Sequence, residues 1–231
     1  MKNSAKNLLE FSIVLGISTL VITYLVSTTS GRVAPFIPII SEMPFSEPEE
    51  SIFSTGLGLS LFATLLIIQV IYRKFEPLAK NLGENYVKAN YWSRIIASIG
   101  SVCGIITVSF NWKEFPIIHG ITAFTLFTSY LVTATFSYQL MKKSGMDDNL
   151  RKYAIIGGWI FYVMMAMFSV LDNLDMLEEK EDFFHRMDNP PNVDTERTTY
   201  LNLTAFCEWA MVFSFYLSLS TYRNFLKNEP I

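Results

Sequence analysis

Charge is scarce in this chain. Only 17% of its 231 residues are charged and 51% are hydrophobic, whereas a soluble domain carries about 25% charge. That shortage excludes a soluble globular enzyme and a disordered chain. There is no basic excess either. Eighteen Lys and Arg stand against 21 Asp and Glu, for a net charge of −3. A nucleic-acid partner is therefore not expected. Two cysteines make one disulfide at most, which excludes a disulfide scaffold. Histidine is as rare, with only His119 and His185, and a zinc site needs three protein ligands. No Walker loop, CxxC, HExxH or GxSxG occurs, so neither a metal nor a cofactor is expected.

What remains is six apolar runs, placed at 8–28, 52–72, 94–110, 116–141, 153–171 and 203–222. A helix needs about 20 such residues to cross a bilayer. The fold class read from them is all-α: a polytopic membrane protein built as a six-transmembrane-helix bundle, with residues 1–231 forming a single transmembrane domain. The first run is too long for a signal peptide and lacks a small-residue cleavage site. The third is the shortest, and Trp92 and Trp112 flank it as interfacial anchors. The longest loop, 172–202, is too short to hold a core of its own. No repeat of 20–50 residues and no inverted repeat is evident.

Six spans place both termini on one side. The segments on that side carry thirteen of the 18 Lys and Arg, and the opposite side carries five, Arg32, Lys113, Lys180, Arg186 and Arg197. The positive-inside rule then puts both termini in the cytosol. The acids Glu42, Glu47, Glu49 and Glu50 fall in the first outer loop, and Glu178 to Asp182 in the last.

Within the spans, Gly100-Ser-Val-Cys-Gly104 is a GxxxG, which lets two helix backbones approach closely in lipid. Intramolecular packing is the simpler use of it, and a dimer seam the alternative. Cys103 and Cys207 both fall inside spans, where they act as small apolar fillers.

Two ionisable residues lie clearly inside spans. His119 is three residues past Pro116, about 4–5 Å along the helix, and Glu208 is five past Leu203, about 7–8 Å. Both spans start on the outer side, so an imidazole and a carboxyl reach similar depth from separate stretches of sequence. Charge is costly there and faces the bundle interior or a wet cavity. On a structural reading, Glu208 is protonated or bonded and pins the bundle. On a functional reading, a polar pocket opens to the outer side, receiving a lipid headgroup or holding a proton-transfer pair for ester chemistry.

Other features are weaker. Asp172 and Asp175 sit i,i+3 at the outer end of span five, where a solvated helix end explains them. Asn202-Leu-Thr204 is a glycosylation sequon that abuts the membrane. Tyr72-Arg-Lys-Phe75 and Tyr222-Arg-Asn-Phe225 have the look of tyrosine sorting signals, though Tyr and Arg at the bilayer also serve as anchors. The Lys and Arg of the cytosolic side are scattered among Glu76, Glu84, Asp147 and Asp148, an ordinary orientation signal.

Three blocks carry a family resemblance. The first outer loop reads Pro35-Phe-Ile-Pro-Ile-Ile-Ser-Glu42, followed by Pro48-Glu-Glu-Ser-Ile-Phe53. Phe115-Pro-Ile-Ile-His119 opens span four, and Phe206-Cys-Glu-Trp-Ala210 lies in span six. Together they resemble the DRAM family, the damage-regulated autophagy modulators. Glu42 stands where that family has Asp, Glu50 takes the position of the acid before Ser-Ile-Phe, and Met43-Pro44 replaces a Thr-Gly pair. The His and Glu blocks are also similar to the wider superfamily of Frag-type GPI-lipid remodelling factors and Sfk-type partners of phosphatidylinositol 4-kinase. The resemblance implies a role in autophagy, lysosome function or membrane-lipid supply, at endomembranes or lysosomes, with the plasma membrane as the alternative. It implies membrane lipids, and membrane proteins, as partners. It implies no catalytic mechanism, and family analogy leaves site chemistry to be argued separately.

Three functions compete. The first is a modulator of autophagy and membrane-lipid homeostasis acting through partners. The second is an intramembrane hydrolase or transacylase using His119 and Glu208, with Glu42, Glu50, Trp209 and Asp172 lining a lipid pocket. A transporter ranks last, because ionisable side chains are confined to the outer half of the spans.

Overall fold

The computed structural model describes residues 4–33, 36–178 and 198–227. Its elements are helical: α1 (Ser4–Thr29), a single 3-10 turn (Ile40–Glu42), α2 (Glu49–Leu82), α3 (Glu84–Ser109), α4 (Pro116–Lys143), α5 (Asn149–Glu178), α6 (Thr199–Ser220) and α7 (Tyr222–Lys227). Six helices are long and apolar enough to cross a membrane, their best windows having a mean hydropathy of 1.3 to 2.0. The six-span, all-α reading is what the chain adopts.

The helices outrun the apolar runs. Helix α2 continues to Leu82 and α3 begins at Glu84, so 73–94 is a helical hairpin rather than a loop. Polar residues sustain it. Glu76 pairs with Lys80 at 2.7 Å and Glu84 with Lys88 at 2.7 Å, both i,i+4 on exposed surface. The break falls at Gly83, whose φ of 115° suits glycine alone.

Sequential helices pack as antiparallel neighbours: α1 on α2, α2 on α3, α3 on α4, and α5 on α6. Contacts from α6 and α7 to α1 close the ring. Small residues and hydroxyls fill the seams, because lipid supplies no hydrophobic drive between helices. Between α1 and α2, Ser12 Oγ donates to Ser60 O (2.9 Å), Ser60 Oγ donates to Ser12 O (2.7 Å), and Ser12 Oγ lies 2.6 Å from Thr64 Oγ1. Between α3 and α4, Ser101 Oγ and Tyr130 Oη are 2.9 Å apart. Thr128 meets Tyr162 at 2.7 Å between α4 and α5.

Two apolar cores result. One, at the end carrying the termini, holds Leu9, Ile67, Tyr72, Phe75 and Tyr222. The other, at the far end, holds Leu20, Ile40, Met43, Phe53 and Leu57. Burial of Tyr72, Phe75 and Tyr222 withdraws both tyrosine motifs from an adaptor, which supports the anchor reading. Large apolar side chains such as Phe11, Val14, Ile117 and Phe213 point outward, as lipid-facing positions require. Both cysteines are free thiols, Cys207 buried and Cys103 partly so.

Candidate functional site

The far end of the bundle is organised by the first loop. Its chain turns at Ile37, a β-branched residue at φ 24°, a conformation that costs energy unless its surroundings impose it. Pro38, Ile40, Glu42, Met43 and Pro44 are buried beneath that turn. The loop lies across the helices rather than in solvent.

Acidic and aromatic side chains fasten it. Glu208, on α6, accepts a hydrogen bond from Ile40 N–H at 2.6 Å. One residue on, Trp209 Nε1–H donates to Pro38 O at 2.8 Å. Glu42 turns back on its own 3-10 turn and accepts from Ile39 N–H at 3.0 Å. The Glu42 and Glu208 carboxyls are near enough to interact electrostatically. Glu50 accepts from Asn111 Nδ2 at 2.9 Å, tying the start of α2 to the α3–α4 corner. Each carboxyl therefore satisfies a donor that the irregular chain would otherwise leave unpaired.

His119 has a similar task. Its Nδ1–H donates to Phe110 O at 2.8 Å, and the Thr107 carbonyl also lies against the ring. Those are terminal carbonyls of α3, which lack intrahelical partners, so the imidazole caps that helix from α4.

His119 and Glu208 line one cavity of about 100 Å³, together with Ile40, Ser41, Thr107 and Tyr216. Small-ligand sites span about 300–1,000 Å³, so this space is too small for a phospholipid headgroup. Matched depth on two helices thus does converge on one cavity, but the side chains face it already engaged with backbone.

A separate apolar groove of about 360 Å³ runs between α1 and α6. Val21, Tyr24, Ile37, Phe206 and Phe213 line it. The Trp209 ring forms one wall and stands edge-on to Tyr24, centroids 6.1 Å apart. A groove of that size is in the range of small-ligand sites.

Asp172 does not join this group, and it is not a solvated helix end. It is buried, and it accepts from the Thr198 hydroxyl. Thr198 is the N-cap of α6 and accepts from Leu201 N–H at 3.0 Å. Asp172 thus links the end of α5 to the start of α6. The Asp175 side chain and His185 lie outside the described residues.

Sequence reasoning missed one fastener. Glu49 is wholly buried and pairs with Arg32, while Ser30 Oγ donates to its other oxygen at 3.1 Å. The available signal was that Arg32 is the one basic residue between spans one and two.

The Frag1/DRAM/Sfk1/Cwh43P N-terminal domain family matches residues 6–224. This chain belongs to that family. Among curated relatives, the DNA damage-regulated autophagy modulator protein 1 of Xenopus laevis is 25% identical over 210 residues, covering 87% of this chain and 81% of the relative. The Homo sapiens and Mus musculus proteins of the same name are each 24% identical over 211 residues, covering 87% of this chain and 82% of theirs. No solved structure matches the chain. The resemblance read from the loop, His and Glu-Trp blocks is therefore the family to which the chain belongs. In this Frag1/DRAM/Sfk1 member those blocks meet at one end of the bundle.

Two expectations follow locally. Thr204 of the sequon is buried inside α6, so Asn202→Gln is expected to leave electrophoretic mobility unchanged before and after glycosidase. A faster-running Asn202→Gln band, matched by wild type after glycosidase, would place this turn of α6 in the open. Trp209→Phe keeps an aromatic ring but loses the indole N–H and the pyrrole half of the side chain, a cost of at least one neutral hydrogen bond, about 0.5–1.5 kcal/mol. Faster protease cleavage within 36–48 would report it.

Proposed function

We propose that this chain is a non-catalytic, lipid-responsive membrane protein that modulates autophagy and membrane-lipid homeostasis at lysosomal or other endomembranes. Its polar far-end groups hold a loop, and the loop edges an apolar groove. The observation that supports this most is Trp209, which bonds Pro38 of the loop through its indole N–H and walls the groove with its ring. An acyl chain entering the groove would press on the element that holds the loop. The relatives named as autophagy modulators favour the autophagic setting.

The test is rescue of cells lacking the protein with wild type, Trp209→Ala or Glu208→Gln at matched expression and location. Autophagic flux and the membrane lipidome are measured together. Wild type is expected to restore both, and Trp209→Ala to restore neither. Unchanged flux and lipids on deletion would defeat the reading.

A second reading, an intramembrane lipid hydrolase or transacylase, rests on His119 and Glu208 sharing one cavity. It requires that cavity to open well beyond 100 Å³. It predicts turnover of a glycerophospholipid or sphingolipid by the purified protein, abolished in Glu208→Gln. The non-catalytic reading predicts none.

A further inference from the structure

The end of the bundle that carries both termini holds the largest cavity among those described, about 880 Å³, between α2, the α4–α5 turn and α7. Three cations line it: Arg73 and Lys74 on α2, and Arg151 on α5. Arg151 is the anomaly. It is 1% exposed, and the groups its guanidinium meets are neutral. Nε–H donates to Thr221 Oγ1 at 2.8 Å, one terminal N–H meets Met141 Sδ, and the guanidinium lies 4.2 Å from the centre of the Tyr222 ring. A buried guanidinium is costly unless an anion answers it. Its planar fork suits phosphate, and five N–H donors exceed what a threonine and a thioether can use.

Two acids also border the cavity, Asp147 and Asp148. Asp148 is committed to the chain, accepting from Leu150 N–H at 2.9 Å and Arg151 N–H at 3.3 Å. The lining thus carries three cations and two acids, with Lys74 also donating to Leu226 O at 3.5 Å and standing 6.0 Å from the centre of the Phe225 ring. Val70, Pro77, Leu78, Met146 and Phe225 give the rest of its wall an apolar stretch, interrupted by Asn149, Thr221 and Asn224. Positive charge beside apolar wall, at the end of a membrane bundle, matches an amphipathic anion better than a free one.

We propose that this cavity binds the phosphate headgroup of an anionic membrane lipid, with Arg151 as the buried fork and Arg73 and Lys74 as the outer clamp. The site lies at the opposite end from the groove beside Trp209, and it stands or falls independently of the function proposed above.

The purified full chain in detergent tests it, titrated by thermophoresis with dioctanoyl phosphatidic acid, dioctanoyl phosphatidylcholine and inorganic phosphate. Phosphatidic acid is expected to bind at least about tenfold more tightly than phosphatidylcholine, and less tightly as salt rises. The double variant Arg73→Gln/Lys74→Gln is expected to erase that preference while eluting as wild type, because Arg73 is exposed and Lys74 half-buried. Arg151→Lys keeps the charge and loses the fork, and is expected to weaken phosphatidic acid by about tenfold. Should Arg151→Lys not fold, the α2 double variant still decides the matter. Equal binding of the two lipids, or a preference untouched by the double variant, would overturn the site. Inorganic phosphate competing as well as phosphatidic acid would overturn its assignment to a lipid.

Discussion

Glu208→Ala is expected to release the first loop while leaving the six helices in place. The substitution removes the acceptor of Ile40 N–H, and Ile40 is buried. An orphaned buried donor costs about 1–3 kcal/mol. The release then spreads. Trp209, the adjacent residue, holds Pro38 two positions away, so the two bonds share one short stretch of loop. Removing both is expected to be non-additive, with a coupling of about 0.5–3 kcal/mol. Glu208→Gln separates charge from hydrogen bonding. Its amide oxygen still accepts from Ile40 N–H, so most of the stability is expected to survive. Thermal unfolding of the purified protein, with limited proteolysis of 36–48, measures both. A Glu208→Ala protein that melts and resists protease as wild type does would show that the loop does not depend on this carboxyl.

That result bears on how the chain uses its rare intramembrane charges. Glu208 and His119 invite a catalytic reading because they are alone and at matched depth. In the folded chain each one first solves a backbone problem, Glu208 an unpaired N–H of the loop and His119 unpaired carbonyls at the end of α3. Glu42 does likewise at Ile39 N–H, and Glu50 holds the side-chain amide of Asn111. A far-end loop lying across apolar helices has few other donors or acceptors, and the family's motif residues supply them.

The spans were legible because hydropathy over about 20 residues is a direct consequence of bilayer thickness. Helix ends were not, since i,i+4 pairs such as Glu76 with Lys80 carry α2 beyond its apolar stretch without any hydrophobic signal. The convergence of His119 and Glu208 was half legible. Depth follows from 1.5 Å per residue, but the order of helices around a bundle leaves no periodic trace. What Glu208, Trp209, Glu42 and His119 bond to was not legible at all, because those partners are backbone groups and every residue has them. Arg32 with Glu49 was hidden for a related reason: they lie 17 positions apart across the first loop, and no helical or strand spacing links them. Arg151 read as one more orientation charge. Only the packing of α7 against α5, which brings Thr221 and Tyr222 onto its guanidinium, distinguishes it.

The second large effect is expected at Gly100. A Cβ there would lie 2.6 Å from Ser129 Cβ and 3.5 Å from the Leu126 carbonyl, so α3 and α4 cannot keep their separation. Overpacking of this kind costs about 1–3 kcal/mol, and Ser101 with Tyr130 in the same seam would be strained as the helices part. Gly104 is more forgiving. The atoms met there are side-chain ends, Leu126 Cδ1 at 2.9 Å and the Leu61 methyls at 3.1 Å, which can turn aside. Gly120 has nothing within 4 Å and serves as the control. Gly100→Ala is therefore expected to lower thermal stability most, Gly104→Ala less, and Gly120→Ala not at all. Elution volume separates the two uses of a GxxxG. Here the seam joins α3 to α4 of one chain, so Gly100→Leu is expected to lower stability without changing the oligomeric state. A Gly100→Leu protein that loses a dimer while each protomer melts as before would move that seam between chains.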